Sequence, residues 1–99
     1  MVNDDSLEEV YIGSKDISKY LSACFYALGQ KEEITIIARG NNTKRALDVA
    51  AILIRQYLEN PSYDVVIGSE KFEERNVTTI EINLRGKKKP TDEPQKERS

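Results

Sequence analysis

Apolar residues in the first half of the chain follow the spacing of a strand, a helix and a second strand. Residues 10–12 form a short β-strand signal that ends in a glycine turn. Apolar positions then recur at helical spacing over residues 17–28, with Asp16 placed to cap the start and Gly29 placed to end the helix. Residues 34–38 are mostly β-branched and predict the second strand.

The second half of the chain predicts a longer helix followed by a hairpin. Capping residues open a helix that runs to about Leu58, where Asn60-Pro61 stops it. Alternation over residues 63–67 and 80–84 predicts two strands, joined by a polar hairpin arm over residues 68–76. The order of elements is therefore βαβαββ.

This order predicts an α/β two-layer sandwich. Right-handed crossovers would make the first three strands parallel and the closing strand antiparallel, in a mixed four-stranded sheet with both helices on one face. We expect the folded domain to cover residues 8–86. The acidic N-terminus over residues 1–7 and the charged tail over residues 87–99 lack a core-forming pattern, so both are expected to be disordered.

The second predicted helix carries more apolar surface than packing on one sheet requires. Its two stripes are Leu47, Ala50, Ala51, Ile54 and Leu58 on one side, and Val49, Ile52, Leu53 and Tyr57 on the other. We interpret the second stripe as a subunit interface formed by Val49, Leu53 and Tyr57, with a crowded core as the alternative. A chain of 99 residues has a modest core, which also favours a dimer.

Composition excludes several classes of active site. The chain has no histidine and a single cysteine, Cys24, so Cys/His zinc sites and a Ser-His-Asp triad are excluded. Asp16, Asp48 and Asp64 could be drawn as a metal-binding carboxylate set, but capping, ion pairing and an edge position explain them more simply. We expect no enzyme activity, metal or cofactor. No apolar run suits a membrane helix and the N-terminus lacks a signal-peptide pattern, so a cytoplasmic location is expected.

Charge is segregated along the chain. The formal net charge is −2, yet the first nine residues hold four acids and no base, whereas the run from Arg85 to Lys89 contains no acid. Because phosphate contacts are local, a chain of net negative charge can still present a basic binding surface.

Two glycine turns place bases beside predicted helix N-termini. The residues concerned are Lys15 and Lys19 after the first turn, and Arg39, Gly40, Asn41, Lys44 and Arg45 around the second. In parallel strands both turns would lie on one edge of the sheet, where helix N-termini favour an anion. The sequence therefore predicts a phosphate-binding edge. The alternative is that Asn41 and Thr43 are ordinary caps and that the bases are solvated.

Three segments resemble the Alba family of archaeal chromatin and RNA-binding proteins. Val10-Tyr11-Ile12-Gly13-Ser14-Lys15 is similar to the family's opening strand and lysine turn. Ala38-Arg39-Gly40-Asn41-Asn42-Thr43-Lys44-Arg45-Ala46-Leu47-Asp48 is similar to its Ala-Arg-Gly-x-x-Ile-x-Lys-Ala-Val-Asp signature. Val77-Thr78-Thr79-Ile80-Glu81-Ile82 resembles its closing strand. The resemblance covers about residues 8–89.

The resemblance implies a chromosome-associated chromatin (nucleoid) protein that binds double-stranded DNA or RNA without strong sequence preference and coats or compacts DNA. It implies a homodimer, or a heterodimer with a paralogue, and dimer–dimer contacts through an aromatic residue at the position of Tyr57. Carried over by position, the binding residues are the loop lysine Lys15, the strand-end Arg39, the helix-start Arg45 and the hairpin-arm Arg75, with Lys71 as an alternative to Arg75.

Departures from the family's pattern keep other functions open. Ser14 replaces the first lysine of the family's pair, so acetylation at that position is not implied. Asn41 stands where a base is common, and the hairpin arm is rich in acids. The alternatives are an RNA-binding subunit of a ribonucleoprotein with the same fold, or a non-catalytic oligomerisation module. The βαβαββ order is also similar to the C-terminal domain of translation initiation factor three, but the Arg-Gly signature favours Alba.

Overall fold

The computed structural model describes residues 8–89. The expectations for residues 1–7 and 90–99 concern segments outside the described residues. The elements are β1 (Glu8–Tyr11), α1 (Ile17–Lys31), β2 (Glu33–Arg39), α2 (Thr43–Ile52), β3 (Leu58–Phe72) and β4 (Arg75–Lys88). A 3₁₀ turn, Gly40–Asn42, precedes α2, and a single π-helical turn, Leu53–Tyr57, follows it.

The four strands form one mixed sheet in the order β1-β2-β4-β3. β1 pairs with β2 in parallel, and β4 pairs antiparallel with both β2 and β3. β1, β2 and β3 therefore run in one direction, with β4 inserted between β2 and β3. The predicted α/β sandwich with a mixed four-stranded sheet and two helices is confirmed.

The core lies between the helices and one face of the sheet. Alternate residues of β2 and β4 point into it, namely Ile34, Ile36, Ala38, Ile80, Ile82 and Leu84. Leu28 and Cys24 of α1 and Val49 of α2 pack in the same cluster, so both helices cover the same sheet face. Burial raises the pKa of the Cys24 thiol to about 12.

The buried side of α2 corrects the predicted subunit interface. Val49 and Leu53 are 0% exposed and belong to the protomer's own core, so neither can contact a second subunit. Tyr57 is half-buried, with its ring edge-on to Phe25 at a centroid distance of 5.6 Å. The buried face of α2 draws on both predicted stripes, since Ala50 is buried as well, and Leu47 marks the exposed flank.

The ends of α1 differ from the expected caps. Asp16 stands at the N-cap position, but its side chain makes no capping hydrogen bond. The helix continues through Gly29 and ends where Glu32 adopts the left-handed region, with φ 61°. The backbone N–H of Glu32 then donates to the Leu28 carbonyl at 2.7 Å. A left-handed residue with this hydrogen bond ends a helix whether or not it is glycine.

The last two strands are longer than the sequence pattern predicts. β3 begins at Leu58, which was expected to be helical, and its register with β4 shifts between Glu59 and Ser62. β4 runs two residues past the expected domain boundary at residue 86. The Lys88 ammonium lies over the Phe25 ring, 4.1 Å from its centre, and this favourable cation–π contact holds the end of β4 in place. The folded domain therefore includes the first lysines of the basic run.

Polar side chains cover the sheet face opposite the helices. The buried Thr35 hydroxyl donates to Oδ1 of Asn83 at 2.9 Å, and the Asn83 amide donates to Asp64 at 3.2 Å. Arg85 adds ion pairs to Glu33 at 3.5 Å and to Asp64 at 3.7 Å. This ladder ties β2, β4 and β3 together on the face that no helix covers within residues 8–89. None of the helices in that range is long and apolar enough to cross a membrane.

Candidate nucleic-acid interface

The glycine turn after β1 is organised by Tyr20. The Tyr20 hydroxyl accepts hydrogen bonds from the backbone N–H groups of Gly13, at 2.9 Å, and Lys15, at 3.0 Å. Its ring is buried among the core residues of α1, so the turn is anchored to the core. These two N–H groups are thus occupied within the chain and are not available to an anion. The exposed Lys15 side chain is what the turn presents to a ligand.

Arg45 joins the two predicted turns. Its guanidinium Nη1 donates to the Gly13 carbonyl oxygen at 3.2 Å, which ties the first turn of α2 to the loop after β1. The parallel pairing of β1 with β2 puts both loops at the same edge of the sheet. Lys15 and Arg45 are therefore brought together, as the sequence predicts, and we call this region the basic edge. Lys19 lies in the first turn of α1, four residues after Lys15, and is exposed.

The second turn needs glycine for its backbone conformation. Gly40 has φ 61°, a region that strains other residues, and its carbonyl oxygen accepts a hydrogen bond from the Thr43 hydroxyl at 3.0 Å. Asn41, Lys44 and Arg45 line a shallow cleft of about 190 Å³ beside α1. Lys44 also pairs with Asp48 at 3.1 Å, which partly neutralises it.

The start of β4, in the hairpin arm, lies beside the second glycine turn. Arg75 lies at the start of β4 and shares a cleft of about 530 Å³ with Gly40 and Asn41. Asn76, Val77 and Thr78 of β4 also line this cleft. Arg75 is therefore close enough to the second turn for one extended ligand to contact both.

Arg39 is directed away from the basic edge. Ala38 points into the core, so the next residue along β2 points to the opposite face of the sheet. There the Arg39 guanidinium pairs with the Glu70 carboxylate at 3.3 Å, and both side chains are more than half exposed. The predicted grouping of Arg39 with Lys15 and Arg45 is not what the structure shows.

An uncovered apolar surface lies beside α2 and was not identified from the sequence. Register places Tyr63, Val65 and Ile67 of β3 on the helix side of the sheet, opposite Leu84, Ile82 and Ile80. Tyr63, Val65 and Ile67 are nonetheless exposed. Arg45 and Asp48 lie on the flank of α2 that faces α1, so its other flank turns towards β3. We call the resulting surface the open apolar face; it consists of Leu47, Ala51, Ile54, Tyr63, Val65 and Ile67.

Metal chemistry finds no support in the described part of the chain. Within residues 8–89, no group of three or more Cys, Asp or Glu side chains is arranged to hold a metal ion. Asp16, Asp48 and Asp64, the carboxylates considered from the sequence, lie on different elements, and Asp48 and Asp64 are engaged in ion pairs.

Comparison with known proteins identifies the family. The Alba family model matches residues 8–67, which include both glycine turns and both helices. This chain belongs to the Alba family. It is 34% identical over 92 residues to the DNA/RNA-binding protein Alba of Nitrosopumilus maritimus (strain SCM1), covering 85% of this chain and 96% of the relative. It is 36% identical over 87 residues to the DNA/RNA-binding protein Alba of Nanoarchaeum equitans (strain Kin4-M), covering 79% of this chain and 97% of the relative.

A solved Alba structure has the same fold. Alba from Thermoplasma volcanium superposes with a TM-score of 0.60 at 26% identity, covering 79% of this chain and 99% of that one. The resemblance drawn from the Arg-Gly signature and the closing strand is confirmed.

Proposed function

We propose that this protein binds nucleic acid through phosphate contacts along its basic edge, without reading the base sequence and without catalysis. The observation that carries the proposal is the 3.2 Å hydrogen bond from Arg45 to the Gly13 carbonyl, which holds two basic turns together. Its relatives' name, DNA/RNA-binding protein Alba, supports a nucleic acid as the ligand. Bases on exposed turns contact phosphates, which position a nucleic acid but carry no sequence information.

The proposed contacts divide by their place in the fold. Lys15 presents an exposed ammonium from a turn that the core holds rigid, whereas Lys44 and Arg45 lie in the first turn of α2. Cations beside a helix N-terminus are unfavourable on their own, so a phosphate that neutralises them would be stabilised. Lys19, Asn41 and Arg75 would extend the same surface along α1 and the hairpin arm.

We also propose that two copies associate through the open apolar face. Monomeric proteins rarely leave a contiguous apolar patch of this kind exposed, and pairing by a two-fold axis would cover it on both copies at once. Each dimer would then carry two basic edges and could coat or compact DNA on the chromosome, in the cytoplasm. Tyr57, half-buried against Phe25, would leave its exposed side for contacts between dimers.

A salt titration tests the proposed function. Binding of duplex DNA and of structured RNA of equal length is measured by fluorescence anisotropy over a range of salt concentrations. Lys15→Gln should lower the slope of log K against log salt by up to about 0.9 for each protomer that contacts the duplex, because each loses one phosphate contact. The loss should be the same for unrelated base sequences. Comparing the two ligands decides between a DNA-coating role and an RNA-binding role.

Arg55 provides the matched control. It lies in the turn after α2, ten residues past Arg45, which places it about 15 Å along the helix axis from the basic edge. Arg55→Gln removes the same charge and should leave the salt slope nearly unchanged. Equal losses for Lys15→Gln and Arg55→Gln would mean diffuse electrostatic attraction, and absence of salt-dependent binding would overturn the proposal.

A further inference from the structure

An ion pair crosses the helix-free face of the sheet between β2 and the hairpin arm. Arg39 and Glu70 belong to strands that are not neighbours, since β4 lies between them. Adjacent strands are about 4.8 Å apart, so the Arg39 side chain has to extend across the whole width of β4. The 3.3 Å contact with Glu70 shows that it does so.

The residues beneath this ion pair make room for it. Arg39 is in register with Thr79, which is in register with Gly68. Gly68 has no side chain, and a Cβ there would approach the Thr79 hydroxyl to 3.0 Å. A depression of about 220 Å³ results, with Arg39 and Glu70 at its rim. A larger residue at position 68 would stand in the path between the guanidinium and the carboxylate.

We infer that Arg39 is a further phosphate contact beside the basic edge and that Glu70 competes with the phosphate for it, so that the hairpin arm carries a residue that lowers the affinity for nucleic acid. The inference rests on the proposed function. A guanidinium binds carboxylate and phosphate oxygens with the same donors, so contact with one excludes full contact with the other. Because the Arg39 and Glu70 side chains are 59% and 54% exposed, the pair is weak enough for a phosphate to displace it.

The ion pair with Glu70 also determines where the Arg39 guanidinium lies. Paired with Glu70, the Arg39 guanidinium lies over β4 and away from Lys15 and Arg45. Released from Glu70, the Arg39 side chain, which belongs to the residue directly before the second glycine turn, can bind a phosphate instead. Ligand binding through Arg39 therefore includes the cost of breaking the pair. Ligands that do not need Arg39 avoid that cost.

A double-mutant cycle tests the inference. Dissociation constants for one short DNA duplex are measured for the wild type, Glu70→Gln, Arg39→Gln and the double variant, at a single salt concentration. Glu73→Gln is the matched control, because it removes the same charge from the turn of the same arm. Glu70→Gln should bind about two- to fivefold tighter per protomer than Glu73→Gln, the range expected for loss of an exposed ion pair.

The Arg39→Gln background separates competition from simple repulsion. There, Glu70→Gln should improve binding no more than Glu73→Gln does, because the residue that Glu70 holds is gone. Melting temperatures of all variants should agree closely, since an exposed pair contributes little to folding. A full gain from Glu70→Gln without Arg39 would overturn the inference and leave charge repulsion as the cause.

Failure of the inference differs from failure of the proposed function. If the wild type binds and Glu70→Gln equals Glu73→Gln, the basic edge stands and Glu70 has no competing role. If neither the wild type nor Glu70→Gln binds the duplex or an RNA of equal length, both the proposed function and the inference are overturned. Binding that appears only in Glu70→Gln would support the inference in its strongest form.

Discussion

A single hydroxyl group links the core of this protein to its basic edge. The Tyr20 ring is buried in the core, while its hydroxyl oxygen accepts hydrogen bonds from the backbone N–H groups of Gly13 and Lys15. The space beside Gly13 is shaped by the same atom, because a Cβ there would lie 3.2 Å from the Tyr20 oxygen. The position of Lys15 is therefore set by an uncharged residue that never needs to contact the ligand.

Replacing Tyr20 by Phe should weaken both folding and binding. The two partly buried N–H groups lose their acceptor, so the free energy of unfolding should fall by about 1–3 kcal/mol in urea titrations. Duplex affinity should decrease while the salt slope stays constant, because no charge is removed. Tyr26→Phe, on the exposed side of α1, should change neither quantity. A Tyr20→Phe protein of unchanged stability would show that the turn does not depend on the hydroxyl.

Cys24 should be unreactive in the folded protein and should make stability depend on alkaline pH. Burial raises the pKa of its thiol from 9.0 to about 12, so the folded state keeps the proton that the unfolded state loses first. This contribution to stability is complete below pH 9.0 and is lost as the pH rises towards 12. Unfolding free energies of the wild type and Cys24→Ala, compared on both sides of pH 9.0, isolate it. Rapid native-state labelling by a disulfide reagent would contradict the assignment.

At the scale of secondary-structure elements, the hairpin arm ends in a strained turn. Phe72 pairs with Arg75, and the two residues between them, Glu73 and Glu74, have φ of 50° and 67°. Two left-handed residues in a two-residue hairpin loop favour Asn-Gly, since glycine adopts this region without strain. Glu tolerates the conformation only because the flanking strands impose it.

Changing Glu73-Glu74 to Asn-Gly should therefore stabilise the protein. Relief of strain at two left-handed positions should raise the free energy of unfolding by about 1 kcal/mol or more. Thermal unfolding, followed by circular dichroism, measures the gain. A Gln-Gln variant is the control, because it removes the same two charges and keeps the strain. If Gln-Gln and Asn-Gly stabilise equally, charge repulsion in the arm and not the turn conformation is responsible.

Helix α2 shows which part of an element its sequence can predict. Periodicity shows that α2 is rich in apolar positions, but the buried face takes Ala50 from one predicted stripe and Val49 and Leu53 from the other. The flank that becomes core depends on where α1 packs and on the insertion of β4 between β2 and β3, which leaves β3 at the uncovered edge. That arrangement follows from long-range strand pairing, which local spacing does not encode. Val49 and Leu53, predicted to lie at an interface, are therefore core residues, and the exposure of Leu47 was not predicted.

Part of the candidate site can likewise be predicted from the sequence, and part of it depends on the fold. The two glycine turns and the bases after them follow from local sequence, because parallel strands bring their carboxyl ends to one edge. The Arg39–Glu70 pair does not follow from local sequence, because its two residues are 31 positions apart. The hydrogen bonds to Tyr20 span only 5 and 7 positions, but they cross a turn whose shape the spacing of apolar residues does not indicate. Chain spacing indicates which charges are available, and the fold determines which of them are already engaged.

At the scale of the whole molecule, one face remains incomplete in the protomer. Within the described residues, neither helix covers the helix side of β3, where Ile67 is 72% exposed and Tyr63 is 55% exposed. The opposite side of the sheet carries the polar ladder around Asn83 and Asp64. Neighbouring residues of β3 therefore face two different environments, and Val65 and Val66 form a natural pair for testing which side meets a second copy.

Val65→Lys should convert the protein to a monomer, whereas Val66→Lys should not. Val65 lies on the open apolar face, where a lysine would place an unpaired charge in the proposed interface, which should bury about 1,200 Å² or more. Val66 is 50% exposed, against 41% for Val65, but lies on the other side of the sheet beside Glu81. Sedimentation equilibrium should give the 11.3 kDa chain mass for Val65→Lys and twice that mass for the wild type and Val66→Lys.

The same variant should change how the protein responds to salt. A monomer offers one basic edge where a dimer offers two, so Val65→Lys should show about half the wild-type salt slope on duplex DNA. Both valines are substantially exposed in the protomer, so neither change should prevent folding, which circular dichroism can verify. A wild-type protein that sediments at 11.3 kDa would refute the dimer. A dimeric Val65→Lys protein would place the interface elsewhere, because a buried, unpaired lysine is too costly for the open apolar face to tolerate.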